Sequence, residues 1–292
     1  MNKPLVSEPM LSLSSVERPK FDMPLGACDM HMHAFGPLDR YPSVSEPQYT
    51  LPDGKLSHYQ QLMKVLELER FVVVQPSFYG TDNSCLVDTL KAAGANARGV
   101  VMVEDDVADA TLEHFHSVGV RGIRLDLFKR AALPLADIKR YIANMAERVK
   151  PLGWHLQFYA PGYIVRDLID YLGTLDTNFI IDHMGYMLEE DGLTDADFQR
   201  LLNLLNESNG WLKLSGPYRI AKNKGYDAVS HIARAIVDAA PHKAVWGSDW
   251  PHIPQSSRNT GELLNLVMDW APDAAIRRRI LVDNPLNLFD FT

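Results

Sequence analysis

Eight short β-rich runs alternate with eight stretches of helical apolar spacing, and this alternation limits the fold more than any single motif. The runs lie at 26–33 (GACDMHMH), 71–77, 99–103, 122–127, 154–159, 179–183, 211–215 and 244–249. Apolar residues at i, i+3 and i+4 mark helices at 56–69, 84–97, 109–118, 136–150, 164–174, 194–208, 227–239 and 261–273. Thr194 stands as a cap before DADFQRLL. Eight strand–helix units in 292 residues predict an α/β fold of the (β/α)₈ TIM-barrel type. An N-terminal arm (1–20) would precede a single barrel domain (21–292). The alternative is an open doubly wound sheet, but no Gly-x-Gly-x-x-Gly follows the first run and no P-loop occurs anywhere.

Apolar residues make up 46% of the chain and charged ones 23%, which suits a soluble protein with a full core. No apolar run approaches the roughly 20 residues that span a bilayer. The Pro- and Ser-rich start has no continuous apolar stretch of the secretory kind. Cys28 and Cys85 have no metal-type spacing, so a reduced cytoplasmic setting is expected. A net charge of −8 argues against nucleic acid or anionic membrane as partners. A small anionic substrate stays possible, because local arginines decide that, and a homo-oligomer is equally open.

Active sites of such barrels lie at the C-terminal ends of the strands. Those ends carry His31 and His33, Gln75 and Ser77, Arg124 and Asp126, Gln157 and Tyr159, Asp182 and His183, Lys213 and Ser215, and Ser248 and Asp249. Burying so many polar groups unpaired would cost several kcal/mol each, so packing alone does not account for them. Side chains at i and i+2 of a strand share a face. His31 and His33 therefore project together, and in a closed barrel Asp249 of the last strand converges on them. Parity turns Asp182 to the face opposite His183, a structural position. Asp126 is expected to pair with a neighbouring Arg or Lys, His155 to sit at the bottom of the barrel, and His252 to lie on the surface. Arg124, Arg130 and Arg219, at strand ends or in the loops after them, suggest a substrate with one or more carboxylates, since guanidinium binds carboxylate bidentately. Ser77 and Tyr159 could add neutral hydrogen bonds.

HMHAFGP, VVVQPSFYGTDN, GVRGIRLDLFKR, GWHLQFY, IIDHMG, WLKLSGPYR, VWGSDWPH and LVDNPLNLF occur in this order. Together they resemble the amidohydrolase superfamily, and within it the 2-pyrone-4,6-dicarboxylate lactonases. The resemblance runs from about residue 20 to 290. It implies a TIM barrel and hydrolysis of a cyclic ester in the breakdown of lignin-derived aromatics, with no cofactor, although the superfamily at large uses one or two divalent ions. It carries substrate contacts over to Ser77, Arg124, Arg130, Tyr159 and Arg219. One departure stands out: where these lactonases have an arginine after the DHMG motif, this chain has Tyr186. A muconolactone or sugar-acid lactone is therefore a second candidate substrate, and lactone isomerisation a second reaction.

Strand four offers Arg124 and Asp126 rather than a bridging Lys or Glu, and strand five ends in Tyr159 rather than His. A two-metal site is thus incomplete. If one Zn²⁺ binds, His31, His33 and Asp249 would hold it, and the chain would then be a metal hydrolase or decarboxylase. Without an ion, Asp249 is the expected general base on water, and His31, His33 and His183 polarise the carbonyl.

Overall fold

The computed structural model describes residues 6–44, 49–52, 54–187, 194–222 and 224–291. Residues 1–5 of the expected arm lie outside them. Eight parallel strands follow one another around the sheet: β1 (Cys28–Met32), β2 (Arg70–Val74), β3 (Ala97–Val101), β4 (Val120–Asp126), β5 (His155–Tyr159), β6 (Phe179–Ile181), β7 (Gly210–Leu214) and β8 (Ala244–Trp246). Helices α1 (Leu56–Leu66), α2 (Ser84–Ala93), α3 (Asp109–Ser117), α4 (Leu135–Val149), α5 (Gly162–Leu172) and α6 (Asp195–Glu207) cross over between them. After β7 come a short α7 (Pro217–Ala221) and α8 (Asp227–Ala239). After β8 come α9 (Thr260–Trp270), α10 (Ala274–Arg278) and α11 (Asn284–Phe289). The (β/α)₈ expectation holds, with strand and helix ends shifted by a few residues. No helix among the described residues is long and apolar enough to cross a membrane.

The local causes are plain. In α8, Val229, Ile232, Ala233, Ile236 and Val237 form the buried stripe, the i, i+3, i+4, i+7, i+8 pattern of a helix with one apolar face. Thr194 and Asp197 make a reciprocal capping box at the start of α6. Alternation in β2 sends Val72 and Val74 into the barrel and Phe71 and Val73 toward the helices. Cys28, Met30, Val100, Ile180, Trp211 and Val245 join the inner cluster, and Leu288, Phe289 and Phe291 plug it from below. Arg98 ties this plug down by donating to the Phe289 and Asp290 carbonyls.

The barrel closes at its upper rim. Asp249 N donates to the His31 carbonyl (2.7 Å) and His33 N to the Trp250 carbonyl (2.8 Å). Beneath that seam, Asp29 accepts from His31 N (3.0 Å), Ser248 N (2.9 Å) and the Tyr59 hydroxyl (2.7 Å), so one outward-facing carboxylate joins β1, the segment after β8 and α1. The register of β1 on β2 steps from Asp29↔Phe71 to Met32↔Val73, a bulge of one residue. Cys28 and Met30 fill the barrel below it, and His31 and His33 take over the inward face above it. Gly247 leaves the room this requires, because a Cβ there would lie 2.6 Å from His31 Cβ. The arm runs over the loop after β8, with Glu8 N donating to the Pro254 carbonyl and Leu11 N to that of Ser256.

Candidate active site

Inward-facing residues stack in layers above the apolar plug. His155 and Gly122 form the lowest polar layer, and the imidazole occupies the space a Gly122 Cβ would need. His155 is at the bottom, as expected. It packs edge-on against Phe289 (4.6 Å between centroids), and burial lowers its pKa to about 3.

The middle layer holds His31, Arg124, Gln157, Asp182 and Lys213, all buried. Lys213 Nζ donates to Gln157 Oε1 (2.7 Å), and it lies 3.3 Å from Asp182 Oδ1 and 3.4 Å from His31 Nδ1. Gln157 Nε2 donates to Asp182 Oδ2 (3.0 Å), and Arg124 Nε is 3.7 Å from the same oxygen. Burial opposes ionisation of Asp182, but the Lys213 ammonium overrides it and holds the carboxyl well below its usual range. Burial lowers Lys213 to about 8 against the pull of Asp182. Burial, then the Lys213 charge, holds His31 well below the ordinary imidazole value, so it is neutral.

This layer corrects the parity argument for Asp182. Its side chain points into the barrel, in step with Ile180. His183 reaches the same mouth because the backbone turns left-handed there (φ 51°), followed by Met184 (φ 50°) and Gly185 (φ 67°). The importance of Lys213 was missed, although its place two residues before Ser215 on an inward-facing strand end carried the signal.

The top layer lines a cavity of about 430 Å³. His33, Ser77, Arg124, Asp126, Lys129, Tyr159, His183, Arg219 and Asp249 supply its polar lining, and Phe35, Tyr49, Phe78 and Phe128 supply apolar surface. Asp249 Oδ2 accepts from the Tyr218 hydroxyl and Arg219 Nε, both at 2.5 Å. Its Oδ1 is buried with no hydrogen-bond donor. It lies 3.3 Å from His33 Nε2 and 3.7 Å from His31 Nε2. Burial disfavours the Asp249 anion, and the Arg219 guanidinium overrides burial to hold its pKa well below the usual carboxylate range. His183 Nδ1 faces Ser215 Oγ at 2.9 Å, and burial lowers its pKa to about 4. The Arg124 guanidinium stacks 4.3 Å above the Tyr159 ring and donates to the Gln75 carbonyl.

The structure thus brings His33, His183, Asp249, Ser77, Arg124, Tyr159 and Arg219 to one cavity. It places the other three expected site residues elsewhere. His31 lies beneath His33, fully buried, and does not line the cavity. Arg130 points away: its guanidinium pairs with Asp105 (2.9 Å) and covers the Tyr141 ring (3.8 Å). The chain turns after β4, with Arg130 N bonded to the Leu127 carbonyl, so strand parity no longer applies and Lys129 faces the cavity instead. Tyr186 is not among the residues lining the cavity; its ring packs on Phe128 (5.4 Å), His183 (5.7 Å) and Tyr159 (6.3 Å). Asp126 is half a match to its expected ion pair. Lys129 Nζ is 4.0 Å away, but its closer partner is the Ser77 hydroxyl at 2.7 Å. His252 is not on the surface. The loop carrying it turns inward under the arm, its Nε2 faces Thr260 Oγ1 (2.9 Å), and burial lowers its pKa to about 3.

Two groups of side chains, His31–Asp182–His183 and His31–His33–Asp249, are compact enough to surround a cation. In the second, the spacings of 3.3, 3.3 and 3.7 Å are near the ~3.3 Å ligand–ligand edge of a tetrahedron with bonds of about 2.0–2.1 Å. The surroundings do not fit equally well. A metal-bound imidazole donates its other N–H to an acceptor. His33 meets this condition with the Val74 carbonyl at 2.8 Å. His31 Nδ1 has two neighbours at the same 3.4 Å, the Asp182 carboxylate that could accept and the Lys213 ammonium that cannot.

Known proteins share this architecture. The chain is 34% identical to 2-pyrone-4,6-dicarboxylate hydrolase of Comamonas testosteroni, covering 93% of this chain and 92% of that protein. It is 34% identical to 4-sulfomuconolactone hydrolase of Hydrogenophaga intermedia, with 92% and 90% covered. D-galactarolactone isomerase of Agrobacterium fabrum is 28% identical, with 91% of each chain covered. Among solved structures, a Pseudomonas putida chain named for 2-pyrone-4,6-dicarboxylic acid hydrolysis superimposes with a TM-score of 0.79 at 31% identity, over 92% of this chain and 99% of its own. Residues 28–291 match the amidohydrolase family model, and the chain belongs to that family.

Proposed function

We propose that the protein is a lactonase that opens an anionic lactone with water activated by Asp249, and that it needs no metal. One observation carries this reading. Asp249 Oδ1 is a buried carboxylate oxygen without a donor, at the wall of a cavity that also presents Arg124, Lys129 and Arg219. Relatives at 34% identity are hydrolases of 2-pyrone-4,6-dicarboxylate and 4-sulfomuconolactone, both anionic lactones, and this supports the substrate class.

Asp249 Oδ1 accepts a proton from water as the water oxygen bonds to the lactone carbonyl carbon. Tyr218 and Arg219 fix the carboxylate through Oδ2 and leave Oδ1 as its only free oxygen. A carboxylate held so acidic is a weak base, so proton abstraction depends on simultaneous stabilisation of the developing oxyanion. His183 supplies this. Its Nδ1 is engaged by Ser215, which leaves Nε2 for the carbonyl oxygen. As the C–O bond breaks, the proton on Asp249 returns to the leaving oxygen. For a pyrone that oxygen leaves as an enolate, and little acid help is required.

Arg124 and Lys129 hold the anionic substituents, and the aromatic wall accepts a flat ring. Asp126 sits between these cations, hydrogen-bonded to Ser77. The cradle is therefore less cationic than three free arginines would make it.

The spacing of His31, His33 and Asp249 favours one second reading, a hydrolase in which these three residues hold Zn²⁺. The ion would acidify the attacking water. Chelator-treated protein tested on 2-pyrone-4,6-dicarboxylate, 4-sulfomuconolactone and galactarolactone separates the two. Proton release is followed for rate, and ¹⁸O from water is traced into product to distinguish hydrolysis from isomerisation. We expect turnover with ¹⁸O incorporation after chelation. Loss with chelator and recovery with Zn²⁺ would overturn the metal-free reading. No turnover of any anionic lactone would overturn the lactonase itself.

A further inference from the structure

We propose that Lys213 is a positioning residue that holds His31 as its Nε2–H tautomer, placing a proton where a metal site would need a lone pair. The Val74 carbonyl can only accept. It lies 2.8 Å from His33 Nδ1, so that nitrogen carries the hydrogen. With the hydrogen on Nδ1, His33 Nε2 is the acceptor of the imidazole pair. His31 Nε2 is 3.3 Å from it and must supply the hydrogen, which leaves His31 Nδ1 as an acceptor. Two groups lie 3.4 Å from Nδ1: the Asp182 carboxylate, which can only accept, and Lys213 Nζ. Only the ammonium completes the chain. Lys213 donates to His31, His31 donates to His33, and His33 donates to Val74. The remaining Lys213 protons go to Gln157 Oε1 and toward Asp182 Oδ1.

The opposite tautomer has a cost that can be named. With hydrogen on His31 Nδ1, two imidazole lone pairs and the unpaired Asp249 Oδ1 would face one another in a buried space with no donor among them. That arrangement asks for a cation. Lys213 removes the demand by fixing the proton, and it holds His33 and Asp249 in register without touching substrate. The assignment goes beyond the proposed activity, and its readouts need no lactone.

Long-range ¹H–¹⁵N spectra of the chelator-treated wild type, with His31 assigned by loss of its signals in His31→Gln, report the tautomer directly. We expect a protonated Nε2 and an unprotonated Nδ1. Lys213→Met keeps the stem and removes the charge, and in it His31 is expected to move its hydrogen to Nδ1 and donate to Asp182. Zinc affinity, measured by competition with a chromophoric chelator, is then expected to rise about 10–100-fold, the range associated with the outer partners of metal-bound imidazoles. Lys213→Arg retains a donor and is expected to keep the wild-type tautomer and the weak zinc binding. A wild-type His31 protonated at Nδ1 overturns the proposal. So does a Lys213→Met protein whose tautomer and zinc affinity match wild type. The wild-type spectrum decides alone if the variants do not fold.

Discussion

The two ends of the barrel bury the same kind of residue for different ends. At the bottom, His155 sits against Phe289 with its Nε2 unpartnered, one imidazole in an apolar plug. At the top, His31, His33 and His183 each face a polar atom within 3.4 Å, and an unpaired carboxylate oxygen adjoins them. Burial favours the neutral imidazole in His155 and in His183. A depressed histidine pKa is therefore not what separates a site from a core. The separation lies in whether the polar neighbours converge on a cavity.

The sharpest break between the two ends is expected at Asp249. Asp249→Asn preserves shape and the Tyr218 contact but cannot take a proton from water. Steady-state kinetics on an anionic lactone are expected to show a kcat loss of about 10²–10⁴-fold. A variant within a few-fold of wild type would assign the base to another group, with His33 Nε2 the nearest alternative.

The histidines give the direct comparison. His183→Leu removes a donor from the cavity wall, and kcat is expected to fall about 10²–10³-fold. His155→Leu, two layers of side chains lower, is expected to leave kcat within roughly twofold, because it removes no group the substrate can reach and strands a single buried nitrogen less. Equal losses in the two variants would mean that the plug and the site are coupled.

The next contrast lies between strand β4 and the loop that follows it. Arg124 stacks on Tyr159 at the cavity, and Arg130 pairs with Asp105 outside it. Arg124→Met is expected to lower kcat/KM for a carboxylated lactone by about 10–100-fold, equivalent to the ~1.5–3 kcal/mol of a charge-assisted hydrogen bond. Arg130→Met is expected to change it less than about twofold. Reversed effects would show that Arg130 swings inward when substrate binds.

The residues that decide these contrasts differ in how visible they were in the sequence. Inward positions two apart on regular strands were legible: Arg124, Gln157 with Tyr159, and Lys213 with Ser215 all follow parity. His31, His33 and Asp249 were legible as a group, although the bulge that switches β1 from Met30 to His31 was not. Parity failed where the backbone leaves the strand. Asp182 and His183 both face inward because His183 turns left-handed, and Lys129 replaces Arg130 because the loop after β4 turns. His252 was hidden by a contact with the arm, more than two hundred residues earlier in the chain. The plug formed by α11 was invisible for a related reason, since its partners Cys28, Val72 and Ile180 are scattered along the sequence. Lys213 was visible as a strand-end residue. Its meaning came only with the distances to Asp182 and His31.

The smallest expected effect belongs to Tyr186, which the family resemblance marked as a departure in substrate contact. Its ring packs behind Phe128, Tyr159 and His183, and burial raises its hydroxyl pKa well above the ordinary value. The ring supports Tyr159 and His183 and is not among the residues that line the cavity. Tyr186→Phe keeps the packing and is expected to leave kcat/KM for 2-pyrone-4,6-dicarboxylate within about twofold of wild type, less than the ~0.5–1.5 kcal/mol of one neutral hydrogen bond would give. Tyr186→Arg would replace a ring packed on Phe128, Tyr159 and His183 and add a second guanidinium near Arg219, and is expected to lower activity by displacing Tyr159 or His183. A gain in kcat/KM with Tyr186→Arg would show that residue 186 can reach the second carboxylate after all. The difference between this chain and the dicarboxylate lactonases would then lie at that one position rather than in the Asp126–Lys129 side of the cradle.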